Sequence, residues 1–247
     1  MRIKTTLKYS PNFNTKKRPI KQIKFIIFHY TGMKKESEAI SRLTDIQSEV
    51  SCHYLIKNKG EIISMVPESY IAWHAGKSSW GNYMSLNKQS IGIEITNPGH
   101  EFNYQNFTKK QISSLLKLSK FLIKKYKIDI KNILGHSDVA PVRKKDPGEK
   151  FPWKYLSQNG VGLWHNIKKQ DLIKNRKTKI SKVEKEFFFN NIFKIGYPKE
   201  FTKYLNKERY LNCIIEAFQR RYRQDLINGK IDRECLLISQ KLIKKFY

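Results

Sequence analysis

Residues 135–153 run GHSDVAPVRKKDPGEKFPW, from Gly135 to Trp153. Pro141 and Pro147 forbid one continuous helix here, because proline lacks an amide hydrogen and restricts the residue before it. The segment is therefore a loop that folds back, and it can bring His136 and Asp146 to one point. A neutral imidazole and a carboxylate are ordinary zinc ligands, and catalytic zinc sites use three protein ligands plus a water. Two ligands on one loop ask for a third from elsewhere. The alternative is purely local: His136 caps a turn, and Asp146 opens an Asp-Pro-Gly turn.

A third ligand is available upstream. Ile23 to Gly32 (IKFIIFHYTG) is a short apolar run ended by glycine, and its length and β-branched content predict a buried strand. A strand puts Phe25, Ile27 and His29 on one face and Phe28 and Tyr30 on the other. His29 then sits at the strand's C-terminal end, where α/β sheets place ligands. Ser90 to Gly99 (SIGIEITNPG) predicts a second strand, with Ile91, Ile93 and Ile95 facing the core and Gly92, Glu94 and Thr96 facing the other way. A carboxylate inside an Ile-rich strand is costly to bury alone. Either Glu94 pairs with a Lys or Arg, or it faces a cleft and acts as a general base beside a metal-bound water.

The remaining pattern predicts helices over Glu36–Gln47 and Phe107–Tyr126, a hairpin of Val50–Ile56 and Glu61–Val66 about Asn58-Lys59-Gly60, and a strand over Ile128–Leu134 that delivers His136. The order β-α-β-β-β-α-β describes an α/β domain with a mixed sheet flanked by helices. Leu163–Leu172 is read as a last helix. His53 lies within a strand and reads as structural. In AWHAGK, Trp73 and His74 beside small residues suit a sugar- or peptide-lined wall, and His74 is the main rival for a metal position.

Residues 1–22 read as an extended arm, 23–173 as the main domain, and the basic stretch 174–182 as a linker. Residues 183–247 read as a small helical bundle, with helical patterns over Val183–Ile195, Glu200–Tyr204, Glu208–Tyr222 and Arg233–Phe246. At about 65 residues this unit is near the lower size for independent stability. It holds no His and no acidic cluster, so it is expected to bind rather than catalyse.

Composition narrows the partners. The 247 residues carry a formal net charge of +28, with 39% hydrophobic and 13% aromatic residues. A globular core is affordable, and polyanions are attracted. The cations are mostly dispersed lysines, with no zinc-finger or RNP-like motif, so a specific nucleic-acid binder is disfavoured. Anionic envelope polymers remain suitable partners. Cys52, Cys213 and Cys235 form no CxxC pair and imply no disulfide framework. No apolar run is long enough to span a membrane. The first residues are basic without an apolar h-region and do not read as a signal peptide.

FIIFHYTG, AWHAGKSSWG, SIGIEITNPG and GHSDVAPVRKKDPGEKFPW together resemble the type-2 N-acetylmuramoyl-L-alanine amidases, the zinc fold shared with phage amidase lysozymes and peptidoglycan-recognition proteins. The resemblance covers about residues 20–165. It implies one Zn²⁺ held by His29, His136 and Asp146, Glu94 as the proton carrier, Lys144 (or Lys145) stabilising the oxyanion, and Trp73, His74 and Asn97 lining the groove. The bond cut would join the muramic acid lactyl group, ordinary or 1,6-anhydro, to L-alanine. Ala217–Tyr222, Asn228–Asp232 and Cys235-Leu236 are similar to a three-helix peptidoglycan-binding module. Amidase plus wall-binding module resembles the family's envelope-located branch, which implies a periplasmic or cell-envelope site after removal of a signal absent from this chain; the cytoplasm is the alternative. A non-catalytic recognition protein of the same fold is the second reading, and lost metal ligands would mark it.

Overall fold

The computed structural model describes residues 3–199 and 206–247, so Glu200–Tyr204, expected as a helix, lies outside the described residues. The centre is a six-stranded mixed sheet in the order β1 (Thr6–Leu7), β5 (Ile62–Ser64), β4 (Tyr54–Ile56), β9 (Ser90–Ile95), β3 (Phe25–Tyr30) and β10 (Ile133–Gly135). Only β4 and β5 pair antiparallel, as a hairpin; the other neighbours are parallel. Two small ribbons pair β2 (Phe13–Asn14) with β6 (Ile71–Ala72), and β7 (Ser79–Trp80) with β8 (Tyr83–Met84).

The register sets the two faces. Phe25, Ile27 and His29 lie opposite Ser90, Gly92 and Glu94. The other face carries Ile26, Phe28, Ile91, Ile93 and Ile95, packed with Leu115, Leu118 and Leu122 of α2 (Lys109–Tyr126). Helix α2 begins at a capping box in which Thr108 and Gln111 exchange backbone and side-chain bonds, satisfying amides the first turn leaves open. α1 (Glu36–Thr44) contributes Leu43 to a smaller cluster with Leu55, Ile63 and Met65.

Several expectations differ in detail. The N-terminal arm is built into the sheet, since β1 forms its edge and Asn12 and Arg18 are buried. The loop from Gly135 opens with a four-residue helix, α3 (His136–Val139), and α4 (Trp153–Gln158) follows the loop. Leu163 is buried but not helical; the helix there is α5 (Lys169–Asn175).

The expected linker and separate bundle also look different in three dimensions. One hydrophobic cluster joins Phe25, Ile27 and Leu134 of the sheet with Phe188 and Ile192 of α6 (Lys182–Ile195), Phe218 and Tyr222 of α7 (Lys207–Tyr222), and Leu242 of α8 (Arg233–Phe246). Residues 174–182 are tied down rather than loose: Arg176 makes a bidentate pair with Glu234, and the Lys177 amide donates to Asp232. A unit this small is near the lower size for independent stability. The sheet face that α2 leaves uncovered supplies further apolar contact.

Candidate active site

His29 and Glu94 are next to last in two adjacent parallel strands and lie directly opposite each other in register. β10 runs parallel on the far side of β3, so its chain emerges at the same end and places His136 beside His29. The loop then returns: the Ser137 amide donates to the Asp146 carbonyl at 2.8 Å. The result is a buried cluster of His29, His136 and Asp146. Nδ1 of His29 and Nδ1 of His136 are 2.9 Å apart, and each is 3.0 Å from Oδ2 of Asp146.

The hydrogen atoms of this cluster follow from its outer partners. His136 presents Nε2 to the Ala75 carbonyl at 3.2 Å; the Arg143 guanidinium, 3.4 Å from the same nitrogen, already donates to that carbonyl at 2.7 Å, and the carbonyl can only accept, so Nε2 carries the hydrogen and Nδ1 is bare. The other chain starts at the Leu86 carbonyl, which accepts from the Ser90 hydroxyl at 2.6 Å. Ser90 Oγ therefore accepts from Nε2 of His74 at 3.1 Å. Burial holds His74 neutral, its pKa well below the ordinary value, so its Nδ1 accepts from His29 Nε2 at 3.0 Å. That leaves His29 Nδ1 bare as well. Three acceptors thus converge with no hydrogen between them, a donor set suited to a cation. Two imidazoles and a carboxylate, each oriented by an outer partner, fit a zinc ion.

Electrostatics agree with this arrangement. Burial, reinforced by His136, pushes His29 down to about 4. Burial first, and then the Asp146 charge, push the Glu94 carboxyl up to about 8, with Lys144 opposing. The buried Oε2 of Glu94 has no hydrogen-bond partner among the described residues. Glu94 therefore faces the cleft instead of pairing with a cation, and in its ionised form that oxygen can take a proton from a water.

The cluster sits in a groove of about 910 Å³ whose walls include Trp73, His100, Lys144 and Lys145. Both lysines reach the groove, but it is the charge of Lys144 that bears on Glu94 and His29. Trp73 stands half-buried on the rim, its indole N–H donating to Asn14 at 2.8 Å. His74 borders the groove but is not a member of the ligand cluster, because both its ring nitrogens are engaged by His29 and Ser90. Its ring lies against Gly92, where any Cβ would overlap it.

Asn97 does not behave as a groove-lining residue. It is buried, its amide donates to the Gln105 carbonyl at 2.9 Å, and its oxygen accepts from the Gly99 amide at 3.0 Å. It shapes the loop that carries His100 to the rim. His53 is structural, receiving the Gly92 amide on Nδ1 at 3.0 Å. Two contributors escaped the sequence reading. Arg143 donates to the Ala75 carbonyl at 2.7 Å, steadying the group that orients His136. His100 links Tyr30 at 2.8 Å to Glu149 at 3.0 Å. Arg143 was visible only as part of a basic run, and His100 carried no motif.

The chain belongs to the N-acetylmuramoyl-L-alanine amidase family, whose sequence profile matches residues 19–149. It is an amidase by that membership. It is 34% identical over 237 residues to the N-acetylmuramoyl-L-alanine amidase AmiD of Escherichia coli K12, covering 91% of this chain and 84% of AmiD. The solved complex of AmiD with anhydro-N-acetylmuramic acid-L-Ala-D-γ-Glu-L-Lys superposes with a TM-score of 0.79 at 33% identity, over 94% of this chain and 92% of that one. AmpDh3 of Pseudomonas aeruginosa superposes with a TM-score of 0.78 at 29% identity, over 96% and 97%. The 1,6-anhydro-N-acetylmuramyl-L-alanine amidase AmpD of Haemophilus influenzae is 34% identical over 167 residues, which is 60% of this chain and 88% of AmpD. No helix among the described residues is long and apolar enough to cross a membrane.

Proposed function

We propose that this chain hydrolyses the amide between N-acetylmuramic acid and L-alanine in peptidoglycan or its fragments, with one zinc ion held by His29, His136 and Asp146. The observation that carries this reading is the convergence of three bare acceptor atoms within 3.0 Å beside the unpartnered Oε2 of Glu94. Bound there, zinc would make a water nucleophilic near neutral pH and polarise the scissile carbonyl. Glu94 Oε2 takes the water's proton and delivers it to the leaving L-alanine nitrogen. Lys144 Nζ faces the charge that grows on the carbonyl oxygen. Trp73 offers an aromatic wall to the sugar or peptide. The anhydro sugar named in the AmiD complex makes anhydro-muropeptides the first substrates to try. The charge of +28 suits anionic envelope polymers, and we assign the protein to the bacterial envelope.

The test is incubation with purified muropeptides, with and without a chelator, read by mass spectrometry. The expected result is a free L-Ala peptide and an intact sugar, abolished by chelator and restored by zinc. Intact substrate after incubation with zinc-loaded protein would overturn the reading.

A further inference from the structure

The C-terminal helical unit touches the ligand loop on both sides of its two ligands. Arg221 of α7 is fully buried, and its Nη1 donates to Oδ2 of Asp138 at 2.6 Å. Asp138 lies in the single turn of α3, two residues after His136. Its Oδ2 also accepts the Gly135 amide at 2.8 Å, and its Oδ1 accepts from the Tyr197 hydroxyl at 2.8 Å. Arg221 donates further to the Ile133 carbonyl at 2.9 Å and lies over the Trp153 ring at 4.3 Å. On the other side of the loop, Arg220 faces Glu149 at 4.0 Å, three residues after Asp146, and Gln224 donates to the Phe151 carbonyl at 2.7 Å.

We infer that α7 is a positioning element of the metal centre: Arg221, through Asp138, holds the helical turn that aims His136, and Tyr197 completes the grip. The physical reason lies in how each ligand is supported. His29 sits in a strand paired on both edges, whereas His136 opens the four-residue helix α3 and Asp146 sits on the loop that follows it. A buried carboxylate is held in place only while its partners remain. Here those partners, Arg221 and Tyr197, come from the helical unit. The unit expected to bind wall polymer thus also sets the geometry of the hydrolytic end. This inference rests on His136 being a metal ligand.

The test measures zinc affinity of the full chain by competition with a chromogenic chelator, alongside the unfolding temperature. Four variants are compared. His136→Ala tests the ligand assignment itself and should abolish tight binding; tight binding retained there would remove that assignment and the inference with it. Arg221→Met should weaken zinc by about 10-fold or more, as loss of outer-shell partners of metal ligands does. Tyr197→Phe removes a single hydroxyl from Asp138 and should weaken zinc measurably, though less than Arg221→Met does. Leu242→Ala, a core change in α8 away from the loop, should lower the unfolding temperature and leave zinc affinity unchanged. Wild-type zinc affinity in folded Arg221→Met, or an equal loss in Leu242→Ala, would overturn the inference. If Arg221→Met does not fold, Tyr197→Phe decides: unchanged affinity there refutes it.

Discussion

His29 Nε2 donates to His74 Nδ1 across 3.0 Å, and that one bond decides which nitrogen of His29 is free to take a metal. His74 is fixed in turn by Ser90, and its ring occupies the space that Gly92 leaves open. The Ala-Trp-His-Ala segment therefore lies behind the proposed ligand cluster and orients His29. Removing the ring in His74→Ala should weaken zinc by about 10- to 100-fold. Gly92→Ala should do the same by displacing the ring. Chelator competition reads both, and wild-type affinity in the two variants would show that His29 needs no such support.

Glu94 Oε2 has no hydrogen-bond partner among the described residues to lose, so replacing it should not disturb the metal. Glu94→Gln is expected to keep zinc stoichiometry and lower kcat by about 10²- to 10⁴-fold, the range for a lost general base. Elemental analysis and muropeptide kinetics on one preparation check both halves. Full turnover in this variant would exclude Glu94 as the proton carrier.

The two groove lysines should separate cleanly. Lys144→Met is expected to lower kcat by about 10²- to 10³-fold with little change in KM, as for a lost oxyanion donor. Lys145→Met, whose parent side chain is exposed, should change kcat less than Lys144→Met does. The reverse order in steady-state kinetics would transfer the role to Lys145.

Acid should unfold the protein through its buried histidines. Burial, followed by the Arg18 charge, depresses His53 to about 3, and burial depresses His165 to about 4 against the opposing bond to the Tyr222 carbonyl. Below the ordinary histidine value of about 6.5 the unfolded chain takes up protons that the folded chain refuses. Stability present above that pH is therefore lost as pH falls from about 6.5 toward 4. Each unit of depression corresponds to about 1.4 kcal/mol. Thermal unfolding from pH 7 to 4.5 should show a falling midpoint, with a shallower slope in His165→Gln. Parallel slopes for the two proteins would exclude His165 as a contributor.

What could be read from the chain alone was whatever depends on local pattern. Alternation in SIGIEITNPG placed Glu94 off the Ile face, the prolines made 135–153 a returning loop, and the apolar run ending at Gly32 put His29 at a strand terminus. These features survive because period-2 alternation and proline geometry constrain the backbone before any packing occurs. Parallel pairing of β3, β9 and β10 then brings His29, Glu94 and His136 to one end of the sheet. The roles of His74, Asn97 and Arg221 could not be read that way. Each depends on which side chain lies opposite after folding: His74 against Gly92 and His29, Asn97 on its own loop, Arg221 on Asp138 across 83 positions of chain. The helical tail was legible as helices, but its docking on the sheet was not. Helical periodicity marks an apolar face without saying what covers it, and here the tertiary structure assigned that face to the sheet and to the loop that carries His136 and Asp146.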